Sequence, residues 1–350
     1  YINTSFVNAG LSQIEEVRNK LLEFKETDKP IIAYSEVYSQ SAYYLASVAD
    51  EVYLHPEGMI EIKGLSASIM FYKDLLEKLD LEIQIIRHGK FKSAVEPFIL
   101  NKMSKANRDQ VKLFLNSIAD NIMDSIACQR GLTLHKVQKH ADNLSLESAK
   151  KCLDFNYVDA LLYQDQVEDS LLLSSKAEKL NLITLNRYSR VKINKSEISR
   201  NKIAIVYATG TIKSGKGDET SIGSETTALA IKRAREDKNV KAIVFRINSG
   251  GGSALASDVI LRETILTKKM NKPIVVSMGD YAASGGYYIA CAADSIVANP
   301  TTLTGSIGVF GMIPNLQKLY KNKLGITIDT VNTNRSADIG INRPLSDFEK

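Results

Sequence analysis

The chain resembles itself at a spacing of about 244 residues, and this duplication limits the folds that are open to it. Because several matches share nearly one offset, we interpret the chain as two tandem repeats. Two unrelated α/β domains with similar turn residues are the alternative. The matching segments are KPII at 29–32 with KPIV at 272–275, YYLA at 43–46 with YYIA at 287–290, AD at 49–50 with AD at 293–294, and Pro56 with Pro300.

Short β-branched runs alternate with helical patterns in the second half of the chain. Strands are predicted at 203–207, 242–247 and 274–277. Helices are predicted at 226–234 and 256–268, with Ser224 and Ser253 near their N-terminal caps. Strand–helix alternation of this kind predicts an α/β fold with a parallel sheet and crossover helices.

The boundaries of the repeats follow from composition. A long helical pattern at 104–126 lies in the first half, and residues 192–202 (KINKSEISRNK) are polar and charged in the manner of a linker. We therefore predict an N-terminal repeat at 1–191, a linker at 192–202 and a C-terminal repeat at 203–350.

Composition and charge exclude several classes of function. The 44% hydrophobic and 24% charged residues are typical of a globular protein. A net charge of +5 is modest, and no aromatic and basic stripe is present, so we expect no nucleic-acid partner. The three cysteines and four histidines show no metal-ligand spacing, so we expect no metal and no cofactor.

The ends of the chain and its apolar runs bear on membrane association. No apolar run reaches the roughly 18 residues that a membrane-spanning helix needs, and no leader-like segment opens the chain. The sequence begins at Tyr1 without an initiator methionine and stops in a polar stretch at Lys350. We therefore expect a fragment of a longer protein, in which a membrane anchor would lie outside these residues.

Residues 280–288 (DYAASGGYY) form the strongest local signal of chemistry. A predicted strand runs into a turn of small residues that precedes helix-like sequence, so Ser284 stands at the mouth of a helix. The free N–H groups and dipole of that helix favour a developing negative charge. The first repeat has Gln40 where the second has Ser284, so only the second keeps a possible nucleophile. Alternatively, the small residues only let a helix pack closely on a sheet.

A second glycine cluster, at 248–253 (NSGGGS), lies between a predicted strand and a predicted helix. Backbone amides in such a turn can point at an oxyanion, because glycine adopts the required dihedral angles. The cluster lacks the Lys-Ser/Thr ending of a phosphate loop and does not fit GxGxxG. A plain tight turn is the alternative.

A serine nucleophile needs a base, and the histidines offer little, since only His88 lies near another motif. A lysine can serve when it is neutral, and burial lowers its pKa from an ordinary value of about 10.4. Residues 90–98 (KFKSAVEPF) supply apolar side chains that could desolvate one ammonium: Phe91, Val95, Pro97 and Phe98. Composition alone does not distinguish Lys92 from Lys90 as that lysine.

Four segments together resemble the signal peptide peptidase A family in its long form with two tandem repeats. They follow the order of the family and span most of the chain. The resemblance implies a ClpP/crotonase-type α/β fold, in which a spiral of β-β-α units forms each repeat. The segments are 92–98 (KSAVEPF), 248–253 (NSGGGS), 282–287 (AASGGY) and 298–308 (ANPTTLTGSIG).

The resemblance also implies a Ser–Lys dyad divided between the repeats. Ser284 would be the nucleophile, and Lys92 would be the general base that later returns the proton to the leaving amine. Ser306 would form a hydrogen bond with the Lys92 amine and orient it. Gly251 and the N–H of Gly285 would hold the oxyanion.

The resemblance further implies a serine endopeptidase that degrades cleaved signal peptides and other unfolded, membrane-associated peptides. Such peptides would bind in extended form beside strands at the site. Members of the family are anchored to the membrane with the peptidase domain on the extracytoplasmic (periplasmic) side. They assemble as a bowl-shaped ring, and the long form is expected to be a homotetramer in which each protomer completes its own site.

One departure from the family pattern keeps an alternative open. The family has proline where this chain has Gly250, and glycine there is expected to loosen the oxyanion loop. One alternative is therefore a non-catalytic scaffold that only binds peptides. The other is an enoyl-CoA hydratase-like enzyme of the same fold, which would need acidic residues at its site.

Overall fold

The computed structural model describes residues 1–87, 89–175, 178–191 and 199–350. His88 and most of the predicted linker at 192–202 lie outside the described residues. The first half contains strands β1 (Ile2–Asn3), β2 (Ile32–Tyr38), β3 (Glu51–Ile60), β4 (Glu82–Arg87) and β5 (Ala160–Leu161). Its helices are α1 (Leu11–Lys25), α2 (Gln40–Ala46), α3 (Lys73–Lys78), α4 (Glu96–Ile99), α5 (Lys105–Arg130), α6 (Leu134–Asp142), α7 (Ala149–Asp154), α8 (Gln164–Ser175) and α9 (Leu185–Tyr188).

The second half contains eight further strands and three α-helices among the described residues. The strands are β6 (Lys202–Thr209), β7 (Thr211–Lys213), β8 (Ser221–Gly223), β9 (Val240–Ser249), β10 (Ile274–Ala283), β11 (Ser295–Val297), β12 (Leu303–Gly305) and β13 (Phe310–Asn315). The helices are α10 (Ser224–Glu236), α11 (Ala254–Lys269) and α12 (Gly285–Ala290). A 3₁₀ turn covers Ser93–Val95, and a π-helical turn covers Leu319–Leu324.

The α/β class with parallel sheets is confirmed, and each strand and helix predicted in the second half is present. Ser253 caps α11 by accepting the N–H of Ala256 at 3.2 Å, whereas Ser224 is the first residue of α10 itself. The turn predicted after residue 277 is wrong. The chain continues there as β10 as far as Ala283, with an irregular register that the sequence pattern does not reveal.

The two halves contain parallel sheets whose central strand pairs match in register. The order is β1-β2-β3-β5 in one sheet and β11-β10-β9-β6 in the other, where β12 also pairs with the end of β10. The single strand β3 thus corresponds to β11 and β12 together. Equivalent pairs lie opposite each other: Ile32 with Glu51 and Val37 with Met59 in the first half, and Val275 with Ser295 and Tyr281 with Leu303 in the second.

An aspartate holds the start of the central strand in both halves by the same contacts. Its carboxylate accepts the N–H at the strand's start and forms an ion pair with a lysine from the end of the preceding helix. These matched contacts support the predicted duplication. They join Asp50 to the N–H of Ile31 (2.8 Å) and to Lys25 (3.0 Å), and Asp294 to the N–H of Ile274 (2.9 Å) and to Lys268 (3.5 Å).

Each half has its own apolar core, and the halves contact each other at several places, two of which join whole elements. Strand β4 of the first half pairs antiparallel with β13 of the second, from Arg87 opposite Phe310 to Glu82 opposite Asn315. Helix α1 packs against β10. Within the described ranges, no helix combines the length and apolar character needed to cross a bilayer.

Candidate active site

Ser284 lies at the junction of β10 and α12 in a backbone conformation that is rare for a serine. Its φ is 55° and its ψ is −117°, and its N–H donates to the carbonyl of Gly305 at 2.8 Å. A non-glycine residue in such a region costs about 1–3 kcal/mol, and residues of this kind cluster at functional sites. At Gly286 an added Cβ would lie 2.5 Å from the Ser249 carbonyl, so glycine is needed where α12 approaches β9.

Lys92 reaches the site from the loop after β4, and two side chains fasten that loop to α5. The buried carboxylate of Glu96 accepts the N–H and hydroxyl of Ser104, the N-cap of α5, at 3.0 and 2.6 Å. Gln110 donates to the carbonyl of Phe91 at 3.2 Å and to the hydroxyl of Ser93 at 3.0 Å. These bonds hold the residues on either side of Lys92 in place.

The structure brings Lys92 and Ser284 into direct contact. The Lys92 Nζ lies 2.9 Å from the Ser284 Oγ, although 192 residues separate them in the chain. It also donates to the Ser306 carbonyl at 2.7 Å and lies 3.2 Å from the Ser306 hydroxyl. All three oxygens are uncharged and the side chain is only 7% exposed, so desolvation lowers the pKa of Lys92 below its ordinary value.

Ser306 meets Lys92 because the backbone turns sharply after β12. Gly305 has φ of 81° and Ser306 has φ of 52°, both in the left-handed region. This turn points both the carbonyl and the hydroxyl of Ser306 at the amine. The resemblance implied a hydrogen bond between Ser306 and the amine without specifying the oxygen, and the carbonyl is the closer of the two.

Burial also separates the two lysines that composition left equivalent. Lys90 is exposed, and its Nζ lies over the ring of Phe91, 5.1 Å from the centroid. Phe91 is itself 56% exposed, so the expectation that it desolvates a catalytic amine is wrong. Val95 is fully buried.

The glycine turn after β9 presses against the start of α12. An added Cβ on Gly251, whose φ is 105°, would lie 2.7 Å from the backbone nitrogen of Gly285. The N–H of Gly251 itself donates to the Ser249 hydroxyl at 3.1 Å. The turn therefore brings Gly251 and Gly285 together, as the sequence predicts, but the Gly251 N–H already has a partner.

The N–H of Gly252 is an unpaired amide of this turn that points away from the neighbouring strand. Its neighbours on both sides bond to Ile212, through the Gly251 carbonyl at 3.0 Å and the Ser253 N–H at 2.9 Å, so the Gly252 N–H faces the other way. No hydrogen bond from it to any described residue is present. Sequence reasoning missed Gly252, because three consecutive glycines do not reveal which amide the neighbouring strand occupies.

These groups line one cleft of about 680 Å³, a volume typical of a ligand site. Beside Lys92 and Ser284, its walls are mainly apolar and aromatic, and none of the described lining residues is acidic. A larger, shallower groove of about 900 Å³ along α1 has no serine or cysteine beside a base among its described lining residues. The apolar residues of the cleft are Tyr287, Tyr288, Ile307, Val309 and Phe310.

The corresponding position in the first repeat holds no nucleophile. Gln40 lies there, at the start of α2, and its amide oxygen accepts the N–H groups of Lys63 at 3.0 Å and Gly64 at 2.9 Å. An ordinary cap by Ser39 precedes it. The amide of Gln40 therefore forms structural contacts where the second repeat has a hydroxyl in contact with an amine.

Comparison with known protein sequences gives a family match over more than half of the chain. A model described as peptidase family S49 matches residues 23–178 and 267–350. Protease 4 of Haemophilus influenzae is 37% identical over 97% of this chain and 57% of its own length. The chloroplastic serine protease SPPA of Arabidopsis thaliana is 33% identical over 100% of this chain and 53% of its own length. The chain thus spans about half the length of the curated relatives it matches.

Solved structures match a smaller part of the chain. A membrane-bound stomatin-specific protease matches 31% of this chain and 47% of its own chain, with 24% identity and a TM-score of 0.26. A probable enoyl-CoA hydratase from Mycobacterium smegmatis has a TM-score of 0.21, with 24% identity over 23% of this chain and 39% of its own. These partial overlaps do not distinguish a peptidase from a hydratase.

The glycine turn yields a prediction with a matched control. Gly251→Ala should displace Gly285 and Ser284, so the reactivity of Ser284 toward a fluorophosphonate should fall at least tenfold, about 1.4 kcal/mol of activation free energy. Gly250→Ala should label like the wild type, because an added Cβ there meets nothing within 4 Å. Equal labelling rates for the two variants, measured by mass spectrometry of the adduct, would contradict this account of the turn.

Proposed function

This chain belongs to peptidase family S49, and on that basis we propose that it is a serine peptidase with Ser284 as nucleophile and Lys92 as general base. The contact of 2.9 Å between the Lys92 Nζ and the Ser284 Oγ carries the proposal. Desolvation lowers the pKa of this buried amine, so Lys92 loses its proton more readily than an exposed lysine and can then accept one from a hydroxyl.

The proposed reaction proceeds in two stages. Neutral Lys92 takes the proton of Ser284 as the Oγ attacks the carbonyl carbon of the scissile peptide bond. The resulting lysine ammonium gives that proton to the nitrogen of the leaving amine, and the C–N bond breaks to leave an acyl-enzyme. Lys92 then accepts a proton from water, which attacks the ester, and the proton returns to Ser284 as the acid product departs.

The negative oxygen of each tetrahedral intermediate needs hydrogen-bond donors beside Ser284. The resemblance assigns this role to Gly251 and to the N–H of Gly285; we keep Gly285 and place the other donor in the turn that contains Gly251. Within that turn we take Gly252 as the donor, because its N–H has no partner. The N–H of Gly251 donates to the Ser249 hydroxyl instead and so orients the turn. Ser306 would orient the amine of Lys92 through its carbonyl and hydroxyl.

The residues that line the cleft favour extended, largely apolar peptides as substrates. Ile307 and Val309 are exposed apolar residues beside the dyad, and no acidic residue lines the described cleft. Cleaved signal peptides and other unfolded, membrane-associated segments have this chemistry. The missing carboxylate argues against hydratase chemistry, and the contact between Lys92 and Ser284 argues against a scaffold without activity.

The proposal extends to organisation and assembly. We assign residues 1–191 to the repeat that supplies Lys92, 192–202 to the linker and 203–350 to the repeat that supplies Ser284. We propose a homotetramer whose peptidase domain faces the extracytoplasmic (periplasmic) side of a membrane. Its anchor would lie outside this chain.

The assignment of the dyad predicts the site and the requirements of covalent labelling. A fluorophosphonate should modify Ser284, and digestion followed by mass spectrometry should locate the adduct. Ser284→Ala should abolish labelling, and Lys92→Ala should slow it by about 10²–10⁴-fold, the usual contribution of a general base. Ser174→Ala, which alters an exposed serine on α8, is the control and should label normally. An adduct that persists in Ser284→Ala would refute the assignment.

The lowered pKa of Lys92 predicts how the rate depends on pH. The labelling rate should rise with pH as Lys92 deprotonates, with a midpoint below the ordinary value of about 10.4. Lys92→Arg should slow labelling and remove this rise, because a guanidinium with a pKa above about 12 keeps its proton. Lys90→Arg changes an exposed neighbour and should keep the wild-type profile. A flat wild-type profile from about pH 5 to 9 would exclude a lysine base.

A further inference from the structure

Strand β10, which leads directly to Ser284, has an irregular pairing about four residues before the nucleophile. The register of β10 against β9 shifts between Met278 and Ala282. The side chain of Asn248, on β9, fills the gap by accepting the N–H of Tyr281 at 3.0 Å. Irregularities of this kind bend a strand and re-aim the side chains that follow, and they are common beside active sites.

Asp280 lies within this irregular segment and binds a helix of the other repeat. Its side chain is buried, with the residue only 9% exposed. Its Oδ1 accepts the N–H groups of Ser12 at 3.0 Å and Gln13 at 3.4 Å, and its Oδ2 accepts the Gln13 side-chain amide at 2.7 Å. The Asn248 side-chain amide lies 3.5 Å from the same Oδ2.

These contacts make Asp280 the cap of α1, although 268 residues separate it from Ser12. The first N–H groups of a helix have no partner within the helix and are normally capped by the residue just before it. In α1 that residue is Gly10, which has no side chain to do so. The carboxylate from β10 replaces it and also complements the positive end of the helix dipole.

The position of this cap bears directly on the dyad, because Lys92 and Ser284 belong to different repeats. Other contacts join α1 to the second repeat, including the ion pair of Glu16 with Arg246 at 2.8 Å. Asp280 differs from them in lying on the strand that ends at Ser284. Its neighbour Asn248 leads directly into the glycine turn. Reacting groups lose rate steeply when they are misplaced by as little as about 1 Å.

We propose that Asp280 is a positioning residue that aligns Ser284 and the glycine turn with the repeat that carries Lys92. This role rests on the proposed Ser–Lys chemistry. It acts through the bend in β10, held by Asn248 on one side and by the first turn of α1 on the other. A cap that only stabilised α1 would do nothing for the reaction.

The two roles separate if the cap is moved to the other repeat. Gly10 has φ of −70° and ψ of 158°, a conformation that suits an aspartate cap. In the wild type an added Cβ there would lie 2.0 Å from the Asp280 carboxyl, but Asp280→Ala removes that carboxyl. The double variant Gly10→Asp/Asp280→Ala therefore caps α1 from within its own repeat and removes the hydrogen bonds by which Asp280 joins β10 to α1.

The test measures melting temperature and the first-order rate of fluorophosphonate labelling at saturating probe, in the intact protein well below its melting temperature. Asp280→Ala should lower the melting temperature and slow labelling by about 10- to 100-fold, with little change in the half-saturating probe concentration. Asp280→Asn keeps one acceptor oxygen and should retain more of the rate. The double variant should recover the melting temperature while its labelling stays slow.

One control variant and one check on the wild type make the result decisive. Thr133→Ala removes the cap of α6, a helix that does not line the cleft, and should lower the melting temperature without slowing labelling. Recovery of both properties in the double variant, or a wild-type labelling rate in Asp280→Ala, would overturn the positioning role alone. Failure of the wild type to label at Ser284 would instead overturn the Ser–Lys function, and this role with it.

Discussion

The contact between the amine of Lys92 and the hydroxyl of Ser284 is the constraint that the surrounding structure serves. Burying an amine among uncharged oxygens is unfavourable while it is protonated, at about 1.4 kcal/mol for each unit by which its pKa falls. The fold offsets that cost by holding the Lys92 loop and the residues around Ser284 in fixed positions. Glu96 and Gln110 fasten the loop of Lys92 to α5, and the left-handed turn at Ser306 supplies the remaining acceptors.

The duplication explains how such a site is built from two similar halves. Both halves begin their central strand with the same aspartate–lysine arrangement, so the scaffold is shared. The halves diverge at the start of the following helix, where Gln40 bonds to backbone amides in one and Ser284 faces the lysine in the other. Neither half contains both members of the dyad, so the geometry of the site depends on how the halves pack together.

Local sequence patterns predict much of this architecture but not the distances across it. Residue alternation gives the strands and helices of the second half, and the resemblance singles out Ser284 and Lys92. Composition could not choose between Lys90 and Lys92, because the choice depends on the pairing of β4 with β13, more than 200 residues away in the chain. The small residues after 277 predicted a turn, whereas the chain continues there as a strand. The side chain of Asn248 completes that strand, and it lies on another element that the local sequence does not reveal. The capping of α1 by Asp280 leaves no local signal either, because Asp280 and α1 lie far apart in the chain.

The state of one amine tests this account most directly. Carbon-13 NMR of protein labelled at the lysine ε-carbon, with the Lys92 signal assigned by its loss in Lys92→Arg, would report its titration. The account predicts a pKa clearly below the ordinary lysine value of about 10.4, because Lys92 is buried beside uncharged partners. A Lys92 signal that titrates at or above the ordinary value would contradict the central claim.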